Sequence, residues 1–520
     1  MIKKGFNKKL EFTMLKAFTM LILSAILTTG FFLRAQEVLS NNYLFLLDMG
    51  RDMLAVKSII FDYHPTLIGP YTSLAGVFQG PLYYYLIAIP SFIFRGDPIG
   101  PLILMLIISL LSIVLAFYFS RKYFGVATGL FIALLFSVSP EAIAAATYTW
   151  NPHPMWLLIV LFTFFLYQLL SGNKKMHLLL WPVIGLMFHF EAALGFFIGI
   201  TSFVLSLILL RKQLFVKQFF IGICICTLTF SPLVLFDLRH ELLMTKSIIT
   251  LLKGGNESLY VKGESLGLIN LTVNHINTFI SNYISGFPKL FNFSYSHVVL
   301  FIGTVISFFY TRRNKKLHPL YIYFKLYFSF LLLFSIFLFF YPYPLRYWFF
   351  TGFQTLHIIA VGISLALLWK YKIGKIIIIL LLCKLFFYTT SRIDTLYFNP
   401  PDNGGFAKVQ GKLSAIDYIY QDMQGKEFNL LIFTPPVLTD AYDYLVWWHG
   451  MKKYNYIPGK EKAGTFYLLI EPDGASPWSY KGWLETVIKT GNVVKTINHP
   501  SGLIIQKRIQ ENPATDAIVK

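Results

Sequence analysis

Cysteine is scarce in this sequence, and its placement excludes two kinds of stabilisation. The 520 residues include three cysteines, Cys224, Cys226 and Cys383, and each lies in an apolar run. Neither a disulfide framework nor a cysteine-based zinc site is credible with this number and placement. The glycine-rich loop with lysine that cradles nucleotide phosphates is also missing, as is the dinucleotide fingerprint. Nucleotide chemistry is therefore not indicated.

Charged residues are also few. They make up 13% of the chain, whereas hydrophobic residues make up 56% and aromatic residues 18%. This composition predicts a protein that crosses a membrane many times. The net charge of +20 arises in residues 1–390, which hold 31 Lys and Arg against 12 Asp and Glu, whereas residues 391–520 hold 14 against 13. Because basic residues in short turns between apolar runs mark the cytoplasmic face, this charge predicts no nucleic-acid partner.

The apolar runs predict the number of membrane spans and their direction. The segment 81–94 is short and contains Pro90, so it is expected not to cross fully, and this leaves eleven spans within an expected range of about 11–13. The basic turns place the N-terminus in the cytoplasm and the first loop, residues 34–80, outside. The apolar runs lie at about 14–33, 81–94, 98–119, 126–147, 155–170, 177–190, 192–210, 215–236, 297–311, 320–341, 351–369 and 374–390.

The tail differs in character from the rest of the chain. Turn residues at 399–405 precede alternating strand-like and helix-like stretches. We therefore predict a polytopic α-helical membrane domain, residues 1–390, and a small extracytoplasmic α/β domain, residues 391–520. Strands are expected at 428–434, 466–470, 493–497 and 503–507, and helices near 409–423, 438–448 and 478–489.

The first outer loop contains the most informative motif. Asp48, Arg51 and Asp52 are spaced at i, i+3 and i+4, so on a helix they share one face. A carboxylate there can accept a proton from a nucleophile, and an arginine can bind a phosphate. The alternative is a solvated helix with a local ion pair.

Other polar residues near the outer boundary are candidates for substrate binding. Aromatic, glycine- and proline-rich residues 69–90 predict either a loop that shapes a pocket or an interfacial aromatic belt. His189 and Glu191 interrupt an apolar region, which predicts a helix break beside a cavity or a polar pair satisfied by the backbone. The candidate binding residues are Arg34, Arg51, Tyr83, Tyr84, His189, Glu191, Arg239, His240 and Arg346.

The order of these features resembles the GT-C superfamily of glycosyltransferases that use polyprenyl-phosphate sugars. The likeness is strongest to the branch with protein O-mannosyltransferases, aminoarabinose transferases and galacturonosyltransferases. The motif at residues 48–52 and the aromatic entry at 80–85 occupy the family's two characteristic places, and Arg346 lies in a similar arginine-tyrosine element. Many relatives carry an acidic pair where this chain has Asp48 followed by Met49, and the expected later acid is missing from residues 148–154.

The resemblance implies a GT-C-like fold and an enzyme that moves a sugar from a polyprenyl-phosphate donor to an extracytoplasmic lipid, glycan or protein acceptor. It implies that Asp48 is the base, with Asp52 as the alternative, and that the displacement inverts the anomeric centre. No cofactor is assured, and a divalent metal remains an option without an assigned site. The chain is expected in a bacterial plasma membrane. The alternatives are a transporter or flippase of lipid-linked sugars, a polysaccharide polymerase or ligase, and an inactive relative.

Overall fold

The fold is described from a computed structural model, which covers residues 2–253, 268–284, 295–341, 343–398 and 405–510. Most of the predicted turn at 399–405 and the last ten residues of the tail lie outside these ranges. The helices are α1 (Ile2–Leu39), α2 (Leu47–Ile60), α3 (Leu82–Ile93), α4 (Ile99–Phe124), α5 (Val126–Val138), α6 (Pro140–Thr147), α7 (Met155–Leu170), α8 (His177–Met187), α9 (Ala192–Leu210), α10 (Lys217–Thr229), α11 (Ser231–Arg239), α12 (Leu243–Leu252), α13 (Leu268–Ile284), α14 (Ser296–Arg313), α15 (His318–Phe339), α16 (Gln354–Leu368), α17 (Lys372–Tyr397), α18 (Val409–Met423), α19 (Asp440–His449) and α20 (Ser479–Trp483).

Every apolar run found in the sequence is helical over most of its length. By length and composition, five helical segments within the described ranges suffice to cross a membrane, namely Met14–Leu39, Ile99–Phe124, Ala192–Gln213, Lys315–Phe339 and Lys372–Tyr397. The pairs α5–α6 and α10–α11 qualify as two further broken spans, and α3, α7 and α16 are shorter apolar helices. The predicted polytopic helical fold is confirmed, whereas the count of 11–13 spans stays a prediction.

Proline residues account for the two broken pairs. α5 and α6 meet at 56°, where Ser139 caps α6 by accepting from the Ala142 amide and Pro140 occupies its first position. α10 and α11 meet at 46°, beside Pro232 in the first turn of α11. A proline has no amide hydrogen to donate and cannot continue the preceding helix without a bend.

The chain divides into two compact units. Unit 1 contains residues 1–35, 66–86 and 104–396, and unit 2 contains residues 36–65, 87–103 and 397–520. This division differs from the predicted boundary at 390, because it groups two stretches of the first hundred residues with the tail. The predicted domain boundary itself stays a prediction.

Unit 2 is built around a mixed four-stranded sheet. Strands β1 (Asn429–Phe433), β2 (Gly464–Ile470), β3 (Asn492–Asn498) and β4 (Ile504–Gln510) lie in the order β1-β2-β4-β3. β1 and β2 are parallel and are joined through α19, as a parallel pair requires, and the other pairs are antiparallel. The predicted α/β character of the tail is confirmed over its described residues.

Backbone hydrogen bonds attach the early stretch to the tail within unit 2. The Phe45 amide donates to the Ala407 carbonyl at 3.0 Å, and the Val409 amide donates to the Tyr43 carbonyl at 2.9 Å. α2 then packs along α19, where the Phe61 and Trp447 rings lie 5.2 Å apart. The helix that contains the acidic motif is therefore held by the C-terminal part of the chain.

Candidate active site

The acidic motif lies on α2, as its spacing predicts. Arg51 Nη1 donates to Asp48 Oδ1 at 2.9 Å, and Arg51 Nε and Nη2 donate to Asp52 Oδ1 at 2.9 and 2.7 Å. The guanidinium therefore joins the two carboxylates and fixes their separation. Charge-assisted hydrogen bonds of this kind are short and directional.

Exposure distinguishes the two carboxylates. The Asp48 side chain is 37% exposed, whereas that of Asp52 is 0% exposed. Arg51, between them, is 14% exposed. A ligand can approach Asp48, while Asp52 holds Arg51 from the buried side.

A second group of polar residues connects three loops of unit 1. Asn151 Nδ2 donates to Gln79 Oε1 at 3.0 Å and to the Phe190 carbonyl at 2.7 Å. The amide therefore ties the turn before α7 to the loop before α3 and to the break between α8 and α9. Glu191, at that break, is 4% exposed.

His189 connects the break between α8 and α9 to the start of α3 and to the end of α10. Its Nδ1 accepts the Leu82 amide hydrogen at 3.3 Å, and its Nε2 donates to the Thr229 carbonyl at 2.9 Å. A Cβ at Gly80 would overlap this ring, so the contact requires glycine there. Both ring nitrogens are used within the protein, which indicates a positioning role for His189.

Arg346 lies beside the turn before α7. Its guanidinium carbon is 5.9 Å from the centre of the Trp348 ring, and that ring is 6.3 Å from the ring of Trp150. Next to Trp150, His153 Nδ1 donates to the Tyr148 carbonyl at 2.6 Å, and burial lowers the pKa of His153 to about 4. The segments near 80, 150, 190 and 346 are therefore neighbours in unit 1.

Arg239 and His240 lie at the end of α11. Both are exposed, and His240 Nδ1 donates to the Phe236 carbonyl at 2.8 Å while its ring stacks on Phe236. Phe236 in turn contacts the ring of Phe78, on the segment that leads to α3. These two residues are accessible, and His240 is held against its own helix.

Arg34 is buried and fully engaged with neighbouring helices. It is 0% exposed, and it donates to the carbonyls of Gly30, Phe136 and Ser137 and to Ser109 Oγ at 2.6–3.0 Å. These bonds join α1, α4 and the end of α5. The geometry favours a structural role over the predicted role in substrate binding.

The predicted tyrosines are also inside the protein. Tyr83 and Tyr84 are 0% and 6% exposed, so neither presents a ring to a ligand. Tyr85 instead donates to the Thr66 carbonyl at 2.8 Å and closes the loop. The sequence interpretation missed Gln79 and Asn151; the signal for Asn151 is a polar residue in a proline-flanked turn, Asn-Pro-His-Pro, between two apolar runs.

No metal ligand set is assigned. Among the side chains that the structure describes, no three His, Cys, Asp or Glu residues come together in a way that could hold a metal ion.

Comparison with known proteins supports the fold. Residues 78–236 match the family model described as dolichyl-phosphate-mannose-protein mannosyltransferase. No sequence among the curated proteins matches the chain. ArnT from Cupriavidus metallidurans in the apo state superimposes with a TM-score of 0.58 at 12% identity, over 95% of this chain and 98% of that one. The same protein bound to undecaprenyl phosphate gives 0.55 at 11% identity, over 96% and 99%.

The third structure is the Archaeoglobus fulgidus oligosaccharyltransferase tethered with an acceptor peptide, with a TM-score of 0.51 at 13% identity, over 95% of this chain and 74% of that one. This chain has a GT-C fold. The GT-C-like fold that the resemblance implied is therefore confirmed. The matched family region, 78–236, contains the GT-C chain's loops near 80, 150 and 190.

Proposed function

We propose that this GT-C-type protein transfers a sugar from a polyprenyl-phosphate donor to an extracytoplasmic acceptor, with inversion at the anomeric carbon. The observation that carries the proposal is an exposed carboxylate, Asp48, whose position is fixed by Arg51 and the buried Asp52. The structural similarity to a protein bound to undecaprenyl phosphate supports a lipid-linked donor. The similarity to an oligosaccharyltransferase tethered with an acceptor peptide supports a separate acceptor molecule.

Asp48 is the proposed catalytic base. The acceptor hydroxyl gives its proton to Asp48 as its oxygen forms a bond to the anomeric carbon, and the bond from that carbon to the phosphate oxygen breaks. The lipid phosphate departs with the electron pair. Asp52 is the proposed positioning residue, because its buried carboxylate accepts two hydrogen bonds from Arg51.

The departing phosphate needs cations. Arg346 is the proposed principal ligand, since its guanidinium lies beside the aromatic residues of the 150 turn and a guanidinium can donate two parallel hydrogen bonds to a phosphate. Arg239 and His240 are proposed as secondary contacts, because both are exposed. Glu191 is also buried, so Glu191, His189 and Asn151 are proposed to shape the site through the loop at the break between α8 and α9. Arg34, Tyr83 and Tyr84 are left out of the proposed binding site because they are buried.

The proposed orientation follows from the basic turns. Lys174, Lys175, Arg211 and Lys212 lie in short turns between consecutive helices, and Arg312 and Arg313 end α14. Cytoplasmic placement of these groups puts the N-terminus inside and the tail outside. We assign the protein to a bacterial plasma membrane because its sequence is rich in Lys, Ile and Phe.

The decisive experiment measures consumption of radiolabelled polyprenyl-phosphate sugars by membranes that contain the full chain. We expect the wild type to turn over at least one donor, and Asp48→Asn to reduce turnover by about 10²–10⁴-fold, the usual contribution of a general base. Asp62→Asn is the matched control, because Asp62 is exposed and pairs with its near neighbour Lys57. Asp52→Asn should reduce turnover less than Asp48→Asn does.

Two results would contradict the assignment. Full activity of Asp48→Asn, at equal amounts of inserted protein, would exclude Asp48 as the base. A wild-type protein that moves lipid-linked sugars across vesicles but consumes none of them would support a flippase instead.

A further inference from the structure

Unit 2 contains a cleft that is separate from the residues proposed for catalysis. It has a volume of about 460 Å³, within the range of about 300–1,000 Å³ that is usual for sites of small organic ligands. α18 forms one side, with Gln410, Ser414 and Asp417, and the end of α19 with the following turn forms another. Nothing in the proposed reaction uses this cleft.

The cleft is organised around one carboxylate. Asp417 Oδ1 accepts from His449 Nε2 at 2.6 Å and from the Tyr454 hydroxyl at 2.8 Å, and Oδ2 accepts from Lys453 Nζ at 2.7 Å. Burial alone would raise the pKa of Asp417, but these hydrogen bonds lower it to about 2. The carboxylate therefore stays ionised and holds His449 and Lys453 in place before any ligand arrives. Such preorganisation favours binding because less side-chain freedom is lost.

The backbone of the cleft is unusual as well. After His449 the helix continues as a π-helical turn, Gly450–Tyr454, which ends at Asn455 with φ of 51°. A Cβ at Gly450 would lie 2.7 Å from the Tyr456 carbonyl oxygen, so the turn requires glycine at its start. π-Helical turns are rare and occur frequently at functional sites. This one carries Lys452 and Lys453 to the cleft.

The lining indicates the chemical class of the ligand. The charges are balanced, because Lys452 pairs with Asp97 at 3.4 Å and Lys453 pairs with Asp417. A balanced lining favours neither a phosphate nor a polycation. The lining also includes Gln410, whose Nε2 donates to the Asn41 carbonyl at 2.9 Å, and Ser414, whose hydroxyl donates to the Gly411 carbonyl at 2.9 Å. A glutamine amide has a second hydrogen and a carbonyl acceptor, and a serine hydroxyl oxygen also accepts, so this lining still places donors and acceptors side by side. Sugar hydroxyls both donate and accept, so they match such a surface.

We propose that this cleft binds a neutral carbohydrate segment of the acceptor. The inference rests on the proposed glycosyl transfer and makes it more specific: the acceptor is a glycan or a glycan-bearing molecule, and unit 2 contributes to its recognition. A donor bound through its phosphate does not need this cleft. Cleft variants are therefore expected to leave the basal hydrolysis of the donor unchanged.

The test uses the fluorescently labelled full chain in lipid nanodiscs on a printed array of bacterial surface oligosaccharides. We expect binding to a defined set of neutral glycans, weakened at least tenfold by Gln410→Ala and by Ser414→Phe, which fills the cleft. Gln421→Ala is the matched control, because Gln421 is an exposed residue of the same helix outside the cleft. Thermal unfolding checks that each variant is folded. If Ser414→Phe does not fold, Gln410→Ala still provides the test.

Three outcomes would overturn the inference: no glycan binds the wild type, the two cleft variants bind as the wild type does, or inorganic phosphate competes away all binding. The proposed function fails separately. If glycan binding depends on the cleft but no lipid-linked donor is consumed, the cleft assignment stands and the transferase assignment falls. If donors are consumed but glycan binding does not depend on the cleft, the transferase assignment stands and the cleft assignment falls.

Discussion

Gly50 of α2 and Ala441 of α19 are in direct contact through their backbones. A Cβ added at Gly50 would overlap the Ala441 amide nitrogen and Cα and would lie 2.6 Å from the Asp440 carbonyl carbon. Gly50 stands between Asp48 and Arg51, so this close contact between the two helices falls within the acidic motif. The position of the proposed base is therefore determined by a helix of the C-terminal part of the chain.

Replacing Gly50 with alanine should disturb both stability and catalysis. The added methyl group must push α2 away from α19, because the obstructing atoms are backbone. Overpacking of this kind typically costs about 1–3 kcal/mol. We expect a lower melting temperature of the full chain and at least a tenfold lower turnover of the donor, with a smaller change in donor KM.

Gly482→Ala provides the control for that substitution. Gly482 lies on α20 of the same unit, and an added Cβ there meets no atom within 4 Å. This variant should match the wild type in melting temperature and turnover. Equal behaviour of Gly50→Ala and Gly482→Ala would show that the close contact does not control the motif.

Arg34→Lys distinguishes a structural arginine from a ligand-binding one. A lysine ammonium cannot reproduce the planar set of donors that serves three carbonyls and Ser109. Each buried polar group left without a partner costs about 1–3 kcal/mol. We expect a lower melting temperature and unchanged donor KM. A raised KM at an unchanged melting temperature would restore the role in substrate binding that the sequence suggested.

Asn151→Asp tests the connection among the loops of unit 1. The substitution replaces an amide donor with a carboxylate beside two acceptors, Gln79 Oε1 and the Phe190 carbonyl. The resulting repulsion in a buried position should displace the loop with Glu191. We expect donor KM to rise several-fold, whereas Asn173→Asp, in an exposed turn, should have no effect. An unchanged donor KM for Asn151→Asp would show that this loop does not contribute to the donor site.

The sequence predicted secondary structure well because its signals are local. A run of about twenty apolar residues predicts a helix wherever its neighbours lie, and residues 409–423 were predicted as a helix with the bounds that the structure shows. The pairing of residues 43–45 with 407–409 was not predictable, because it depends on backbone groups more than 360 positions apart. Composition separates an apolar segment from a polar one, but it does not reveal which distant polar segments pack together.

The candidate site was predictable in part for the same reason. Helical spacing placed Asp48, Arg51 and Asp52 on one face, which the structure confirms. The spacing could not show that Asp52 is buried and Asp48 exposed, because this difference is set by packing within unit 2. Asn151 was overlooked because its importance depends on partners from two other loops.

Acid should weaken unit 2 through Asp417. Hydrogen bonds from His449, Lys453 and Tyr454 outweigh burial and hold the pKa of this carboxyl at about 2, below the unfolded value of about 3.9. Because the folded pKa is depressed, the ionised carboxylate stabilises the fold above about pH 4, and this contribution is lost as pH falls towards 2. The contribution is on the order of 2 kcal/mol. Asp417→Asn should therefore lower the melting temperature of the full chain at pH 6, and the difference from the wild type should shrink between pH 4 and 2. A difference that is constant over this range would mean that the charge of Asp417 does not stabilise the cleft.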